Sequence, residues 1–275
     1  MKYSITLASF RNVEPLEETL SKLVRSGLDA VEMYGEPGAV KMGKVKDSLR
    51  SFRMPVCGVT GMWGNVSKDG WKRRILSSDQ ALVRASKRYV RDCVGMCSEL
   101  GADVMNICLF TDELRKFDGT HCVITVQEKE RLARRAAPIL SELCKFAEDN
   151  GVELVLEPLN RYSTPFCVTA KDAVRVVNLV NNDSFGILLD TFHMNIEEDS
   201  FEAAVQSTKG LLRHTHFADN NRKMPGFGHV DFQIIMKSLK KIGYKRYVSF
   251  EPNILDKSYD GRLKKSLRFV RKLTS

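Results

Sequence analysis

The sequence predicts a single (β/α)8 barrel spanning residues 1–275, an α/β fold, and three observations carry the prediction. Eight short β-rich apolar runs alternate with longer amphipathic stretches along the whole chain. No composition break or Pro/Ser-rich linker interrupts them, which argues for parallel strands joined by crossover helices within one domain. The length, 275 residues, lies in the range that one α/β barrel occupies. A doubly wound open sheet is the alternative closure, but no GxGxxG follows the first run to support it.

The first run, Tyr3 to Ala8, leads into a helix pattern from Val13 to Gly27. The next runs are Ala30 to Met33, Pro55 to Thr60, Asp103 to Leu109, Val152 to Glu157, Phe185 to Asp190, Leu212 to Phe217 and Tyr247 to Glu251. Three helix patterns between them have legible ends: Asp79 to Leu100 stops at Gly101, Gln127 to Asp149 at Gly151, and Asp231 to Ile242 at Gly243. Pro138 lies inside the second of these, lacks an N–H to donate, and is expected to kink or divide the helix. A final helix from Gly261 to Leu273 closes the series.

With 43% hydrophobic and 28% charged residues, 18 Gly and 8 Pro, the composition excludes collagen, low-complexity disorder and coiled coil. No segment approaches the ~20 apolar residues of a membrane span. MKYSITLASF has neither a long apolar core nor a small-residue cleavage site behind it. The seven cysteines are scattered, odd in number and without a CxxC pair, which reads as reduced core thiols in a cytoplasmic protein. The net charge of +9 is compatible with nucleic acid, an anionic substrate or a basic outer surface. Arg262, Lys264, Lys265, Arg268, Arg271 and Lys272 belong to the last helix pattern, and Arg84, Lys87, Arg88 and Arg91 to the one before the fourth strand. Such helices form the outer ring of a barrel, so the surplus reads as surface character.

Reactive residues of a barrel stand at the carboxyl ends of its strands. The last four runs end in or beside Glu157, Asp190, His216 and Glu251, about 30 residues apart, one strand-and-helix unit each, so they should ring one mouth. Three carboxylates and an imidazole facing one another repel unless a cation joins them, and a divalent metal makes the arrangement favourable. The oxygen-rich donor set suits Mn²⁺, Mg²⁺ or Co²⁺ in six-coordinate geometry, with about two positions open to substrate oxygens. His214 shares a strand face with His216 and reads as a satisfied barrel histidine; Asp231 reads as a helix cap.

LEPLNRY (Leu156 to Tyr162), DTFHMNIEE (Asp190 to Glu198), HTHFADNNR with MPGFGHVDF (His214 to Phe232) and VSFEP (Val248 to Pro252) resemble the D-tagatose 3-epimerase and D-psicose 3-epimerase group of ketose epimerases, within the xylose-isomerase-like barrels. Weaker likeness extends through most of the chain, including Ser77 to Asp103. The resemblance implies a (β/α)8 barrel with one catalytic divalent ion, commonly Mn²⁺ with Co²⁺, Mg²⁺ or Zn²⁺ as the other candidates, held by Glu157, Asp190, His216 and Glu251. It implies that substrate oxygens O2 and O3 chelate the ion and that Glu157 and Glu251, on opposite faces of C3, exchange a proton through a cis-enediolate. His193 and Arg222 match substrate-binding positions, and a cation at Arg222 suits a developing enediolate. Trp63, in GVTGMWG after the third strand, is a candidate apolar wall against the sugar carbons.

One position departs from the group. Six residues after the first metal glutamate its members carry a second glutamate, whereas this chain has Ser163, which leaves the reaction class in place and opens the substrate to a different ketose or a sugar phosphate. The expected partner is a small sugar, with no nucleic acid or membrane; barrels of this type often assemble as a homodimer or homotetramer, a choice these residues do not specify. Rival readings are a hydroxypyruvate-isomerase-like sugar isomerase and, from another class, an endonuclease IV-like DNA repair nuclease. That nuclease uses three zinc ions and histidines from the early loops. Here all five histidines (His121, His193, His214, His216, His229) lie beyond residue 120, which favours one metal.

Overall fold

A computed structural model describes residues 1–112 and 124–273. Eight parallel strands close into a barrel in chain order: β1 (Lys2–Thr6), β2 (Ala30–Gly35), β3 (Val56–Gly61), β4 (Val104–Ile107), β5 (Glu153–Leu156), β6 (Phe185–Asp190), β7 (Leu212–Phe217) and β8 (Tyr247–Phe250), the last pairing back onto β1. Every expected run holds a strand. Around them the described residues form α1 (Leu16–Ser26), α2 (Met42–Ser51), α3 (Gln80–Glu99), α4 (Val126–Asp149), α5 (Ala170–Val180), α6 (Thr191–Glu197), α7 (Phe201–Ser207), α8 (Phe232–Lys241) and α9 (Asp260–Lys272). Gly101, Gly151 and Gly243 follow α3, α4 and α8 with φ of 68°, 69° and 77°, the left-handed exit that the sequence expects of them.

Two expectations about helices need correction. The helix α4 runs undivided from Val126 to Asp149 through Pro138. One missing hydrogen bond is outweighed there because Leu132, Ala133, Ala136, Leu140, Leu143, Cys144 and Ala147 bury a continuous stripe, and a Thr125–Glu128 capping box secures the start. The sequence reading also passed over α2, α5, α6 and α7. Three of them are weakly marked, since α2 starts without a side-chain cap and α6 and α7 have only 7 residues each. Helix α5 has a legible signal, a Thr169–Asp172 capping box ahead of an apolar stripe.

The barrel strands are buried on both faces, as all-parallel sheets require. Hydrophobic side chains fill the layer between strands and helices, whereas the upper barrel interior gathers Thr6, Glu32, Thr60, Asn106, His214, His216 and Ser249, all buried. The six described cysteines are buried and unpaired; Cys122 lies outside the described residues. On α9 Lys264, Lys265, Arg268, Arg271 and Lys272 are exposed and Arg262 is half-buried, and Arg84 and Arg88 on α3 are exposed, so these cations do lie on the outer ring. Among the described residues no helix is long and apolar enough to cross a membrane.

Candidate active site

Strand register assembles the site. Asp190 on β6 and His216 on β7 are register partners, and His216 in turn pairs with Ser249 on β8. Glu251 lies two residues beyond Ser249 and therefore on the same face. Backbone hydrogen bonds from Glu157 N to Ile107 O and from Glu251 N to Phe217 O, each 3.0 Å, extend the ladder past the formal ends of β5 and β8 and fix both glutamates. One donor atom each from Glu157, Asp190, His216 and Glu251 lies within 4.8 Å of the others. The four residues named from the strand ends thus meet at one mouth.

The imidazole of His216 tests whether this cluster suits a metal. Its Nε2 meets Glu32 Oε2 at 3.0 Å, which leaves Nδ1 as the lone-pair nitrogen. That Nδ1 is buried, makes no hydrogen bond, and stands 3.7 Å from Glu157 Oε1 and 3.5 Å from Glu251 Oε2. An unpartnered nitrogen aimed between carboxylates fits a divalent cation and fits no neutral ligand as well. Burial opposes charge on His216, yet Glu32 and Glu251 outweigh it and push its pKa well above the ordinary value, so Nδ1 attracts positive charge, and a divalent ion there would take the place of the Nδ1 proton.

Glu32 is the site residue that sequence reading missed. It is buried on β2, with His214 Nε2 2.6 Å from Oε1, and Ser249 Oγ donates to Oε2 at 2.7 Å. Burial pushes its carboxyl up, but His214 and His216 hold it well below the usual range. Its signal was an acid inside the otherwise apolar run AVEMYG; a buried charge in a strand needs a partner, and the partners are the two histidines of β7. His214 thus lies against the Glu32 carboxylate inside the barrel.

Asp190 is raised, because complete burial outweighs Arg222 and His193 beside it. Burial likewise opposes the Glu251 charge, but His216 and Arg222 hold that carboxyl at about 2. Arg222 Nη1 contacts Asp190 Oδ2 at 2.6 Å and Glu251 Oε2 at 3.0 Å, and its guanidinium stacks on Phe192 with 4.4 Å to the ring centroid. His193, in the first turn of α6, has Nε2 3.6 Å from Asp190 and Nδ1 2.9 Å from the Asn160 amide; burial lowers its pKa to about 4, so it is neutral. Asn106 donates its amide to Glu157, and Trp63 is buried with Nε1 3.4 Å from Asn106 O. Cys108 Sγ lies 3.7 Å from Glu157, and burial with that carboxylate pushes the thiol far up, so it is no thiolate ligand. Cys57 is fully buried and its thiol is likewise pushed up by burial.

Asp219, also unforeseen, shapes the loop carrying Arg222. Its carboxylate accepts from Asn220 N, Gly226 N and Val230 N at 3.0, 2.9 and 3.0 Å, and Arg222 takes a left-handed backbone, φ 56°. Gly228 permits this closure, for a Cβ there would stand 2.2 Å from Asp219 Oδ1 and 2.1 Å from Asn220 Oδ1. Gly228→Ala should displace Arg222, lowering activity by about 10²-fold, comparable to a misplaced substrate-positioning group, with the barrel still folded by circular dichroism. Undiminished activity would show that the Asp219 loop does not set Arg222. Asp231 caps α8 through Ile234 N at 3.0 Å, as expected.

A cavity of about 470 Å³ opens over the cluster and is lined by Glu157, Glu251, His193, Arg222, Trp63 and Ser163, among others. All the residues expected to touch substrate therefore share one space.

The chain matches the family described as xylose isomerase-like TIM barrel over residues 20–273. It is 40% identical over 118 residues to the D-psicose 3-epimerase of Ruminiclostridium cellulolyticum, covering 43% of this chain and 40% of that protein. It thus spans about two fifths of that relative's length. It is 37% identical over 251 residues to the 3-dehydro-D-guloside 4-epimerase of Escherichia coli K12, covering 88% of each. The fold superposes on the D-psicose 3-epimerase of Clostridium cellulolyticum H10 with a TM-score of 0.83, 23% identity and complete coverage of both chains.

Proposed function

The chain belongs to the xylose isomerase-like TIM barrel family, and from that premise we propose that it is a metal-dependent ketose 3-epimerase acting on an uncharged sugar. The carrying observation is His216 Nδ1, buried without a hydrogen bond among Glu157, Asp190 and Glu251. Those four residues would hold the ion, Mn²⁺ first by its taste for oxygen donors with one nitrogen. Bound there, a divalent ion supplies Lewis acidity to a ketone oxygen and acidifies the neighbouring C–H. Glu157 and Glu251 act as the paired bases, one removing the C3 proton and the other delivering a proton to the opposite face. Arg222 offsets the negative charge that develops on the sugar oxygens, and neutral His193, tied to Asn160, orients a hydroxyl. Six buried free thiols accord with a cytoplasmic location.

Charge in the cavity argues against the rival substrates. Among its described lining residues the one cation is Arg222, and Asp190 and Glu251 already engage it. A sugar phosphate or a carboxylate substrate would face the carboxylates of Glu157 and Glu251 with no further guanidinium or ammonium among the described lining residues to receive it. The nuclease reading weakens on two counts. The two metal-capable groups found among the described residues share His216, and Cys57 and Cys108 are protonated thiols. A second reading, epimerisation at C4 of a 3-keto glycoside, is favoured by the 37% identity to the Escherichia coli relative over 88% of both chains. The chemistry is the same, a proton exchanged on the carbon beside a ketone.

Deuterium uptake from D₂O at that carbon, across free ketoses, their phosphates and 3-keto glycosides, tests both readings. Uptake confined to neutral sugars is expected; no uptake with any keto-sugar, alongside cleavage of an abasic-site duplex, overturns the proposal. Dialysis against a chelator should abolish uptake, and Mn²⁺, Co²⁺ or Mg²⁺ should restore it. Full activity in protein shown to be metal-free would refute the metal's role.

A further inference from the structure

The catalytic groups are one part of the cavity lining. Another part is formed by the more exposed Asn65, Val66, Trp71, Tyr162 and Ser163, none of them charged. Val66 and Tyr162 are each 59% exposed and Trp71 is 41% exposed, although all are large and largely apolar. Other exposed apolar side chains, such as Val24, Ile234 and Phe269, sit singly on α1, α8 and α9 of the outer ring. Isolated exposed apolar residues are ordinary, whereas a group of them rimming a catalytic cavity marks a surface that a ligand covers.

Trp71 is also held in place. Its ring meets buried Phe110 edge to face, 6.0 Å between centroids at 82°, and its carbonyl accepts from Arg74 Nε at 2.8 Å. The adjoining Arg73 is anchored by Glu36 at 2.8 Å and lies 3.8 Å from the centroid of the Tyr89 ring. A braced, partly exposed aromatic ring binds the C–H face of a sugar ring at little entropic cost, and Ser163 and Asn65 in the same lining offer hydroxyl and amide partners.

We propose that this aromatic rim is a second subsite, which receives an uncharged sugar ring glycosidically attached to the keto-sugar being epimerised. The inference rests on the epimerase reading in its 3-keto glycoside form and deepens it, because a ring attached to the reacting sugar would lie along the cavity wall that Trp71 lines. Ser163 fits this assignment: a serine leaves a neutral wall where a carboxylate would demand a specific hydroxyl at the substrate's end.

The test compares a 3-keto disaccharide with the matching methyl 3-keto hexoside, reading deuterium uptake beside the ketone in the metal-loaded enzyme. The native protein is expected to prefer the disaccharide by about tenfold in kcat/KM, chiefly through KM. Trp71→Ala should erase that preference, and Trp71→Phe should restore most of it. Equal use of both substrates by the native protein, or an equal loss on both in Trp71→Ala, overturns the second subsite while leaving the epimerase reading standing. Uptake with free ketoses but with neither 3-keto glycoside overturns the subsite alone, and failure of every keto-sugar overturns both.

Discussion

Glu157→Gln or Glu251→Gln lowers the epimerisation rate by at least about 10³-fold without unfolding the barrel. The magnitude combines two losses at one atom: a general base contributes about 10²–10⁴, and each glutamate also offers a donor to the metal cluster. Glutamine keeps the volume and, at position 157, can still accept the Asn106 amide proton, so packing is preserved. It cannot take up a proton from carbon. The two variants should also differ in kind. With opposite-face bases, each variant retains its remaining carboxylate on one face, so any residual deuterium uptake starts from one epimer only, and opposite epimers for the two variants. Assaying uptake from each pure epimer reads this directly. A variant with more than about a tenth of native turnover would refute the two-base scheme.

Glu32→Gln weakens metal binding by about 10–100-fold, the usual effect of removing a carboxylate behind a histidine ligand, and destabilises the fold by about 3–5 kcal/mol. Both follow from one contact set. Glu32 receives His216 at 3.0 Å and Ser249 at 2.7 Å, and His214 Nε2 stands 2.6 Å from its other oxygen, inside a fully buried space. Glutamine leaves two buried histidines facing an amide in place of a charge, and His216 loses the anion that fixes its tautomer and strengthens Nδ1 as a donor. Metal affinity by chelator competition and stability by urea denaturation, each in metal-free buffer for the second measurement, separate the effects. Metal affinity within about twofold of the native value would remove Glu32 from the metal's support.

Glu157, Asp190, His216 and Glu251 were legible in sequence because strands alternate with helices at a regular interval and barrel chemistry concentrates where strands end. Each is a polar residue closing an apolar run, a contrast one can read locally. Helix exits at Gly101, Gly151 and Gly243 were legible for a similar reason, since a left-handed residue is a local requirement. Pro138 misled because a local penalty was weighed without the buried stripe of α4 that outweighs it. Glu32 went unseen because its partners are 182 and 184 residues away on β7, brought beside it by closure of the barrel. The Asp219 loop escaped for a different reason, as three backbone N–H groups converging on one carboxylate leave no mark in residue identity.

The basic surplus of +9 shows the same division. Its placement on α3 and α9 could be read from helix periodicity, and most of those cations are exposed. That Arg222 is consumed by Asp190 and Glu251, leaving the described cavity lining without a spare cation, depends on distances of 2.6 and 3.0 Å that no spacing rule contains. By itself the sequence determined the strand order, the barrel, and the identity of the four cluster residues, because periodicity and strand-end chemistry are properties of neighbouring residues. Tertiary structure alone decided which nitrogen of His216 is left to a cation, which acid supports it, and that the cavity ends in a neutral aromatic rim around Trp71. Those are outcomes of long-range closure, where residues far apart in the chain share one low-dielectric space and each sets the charge, tautomer or exposure of the others.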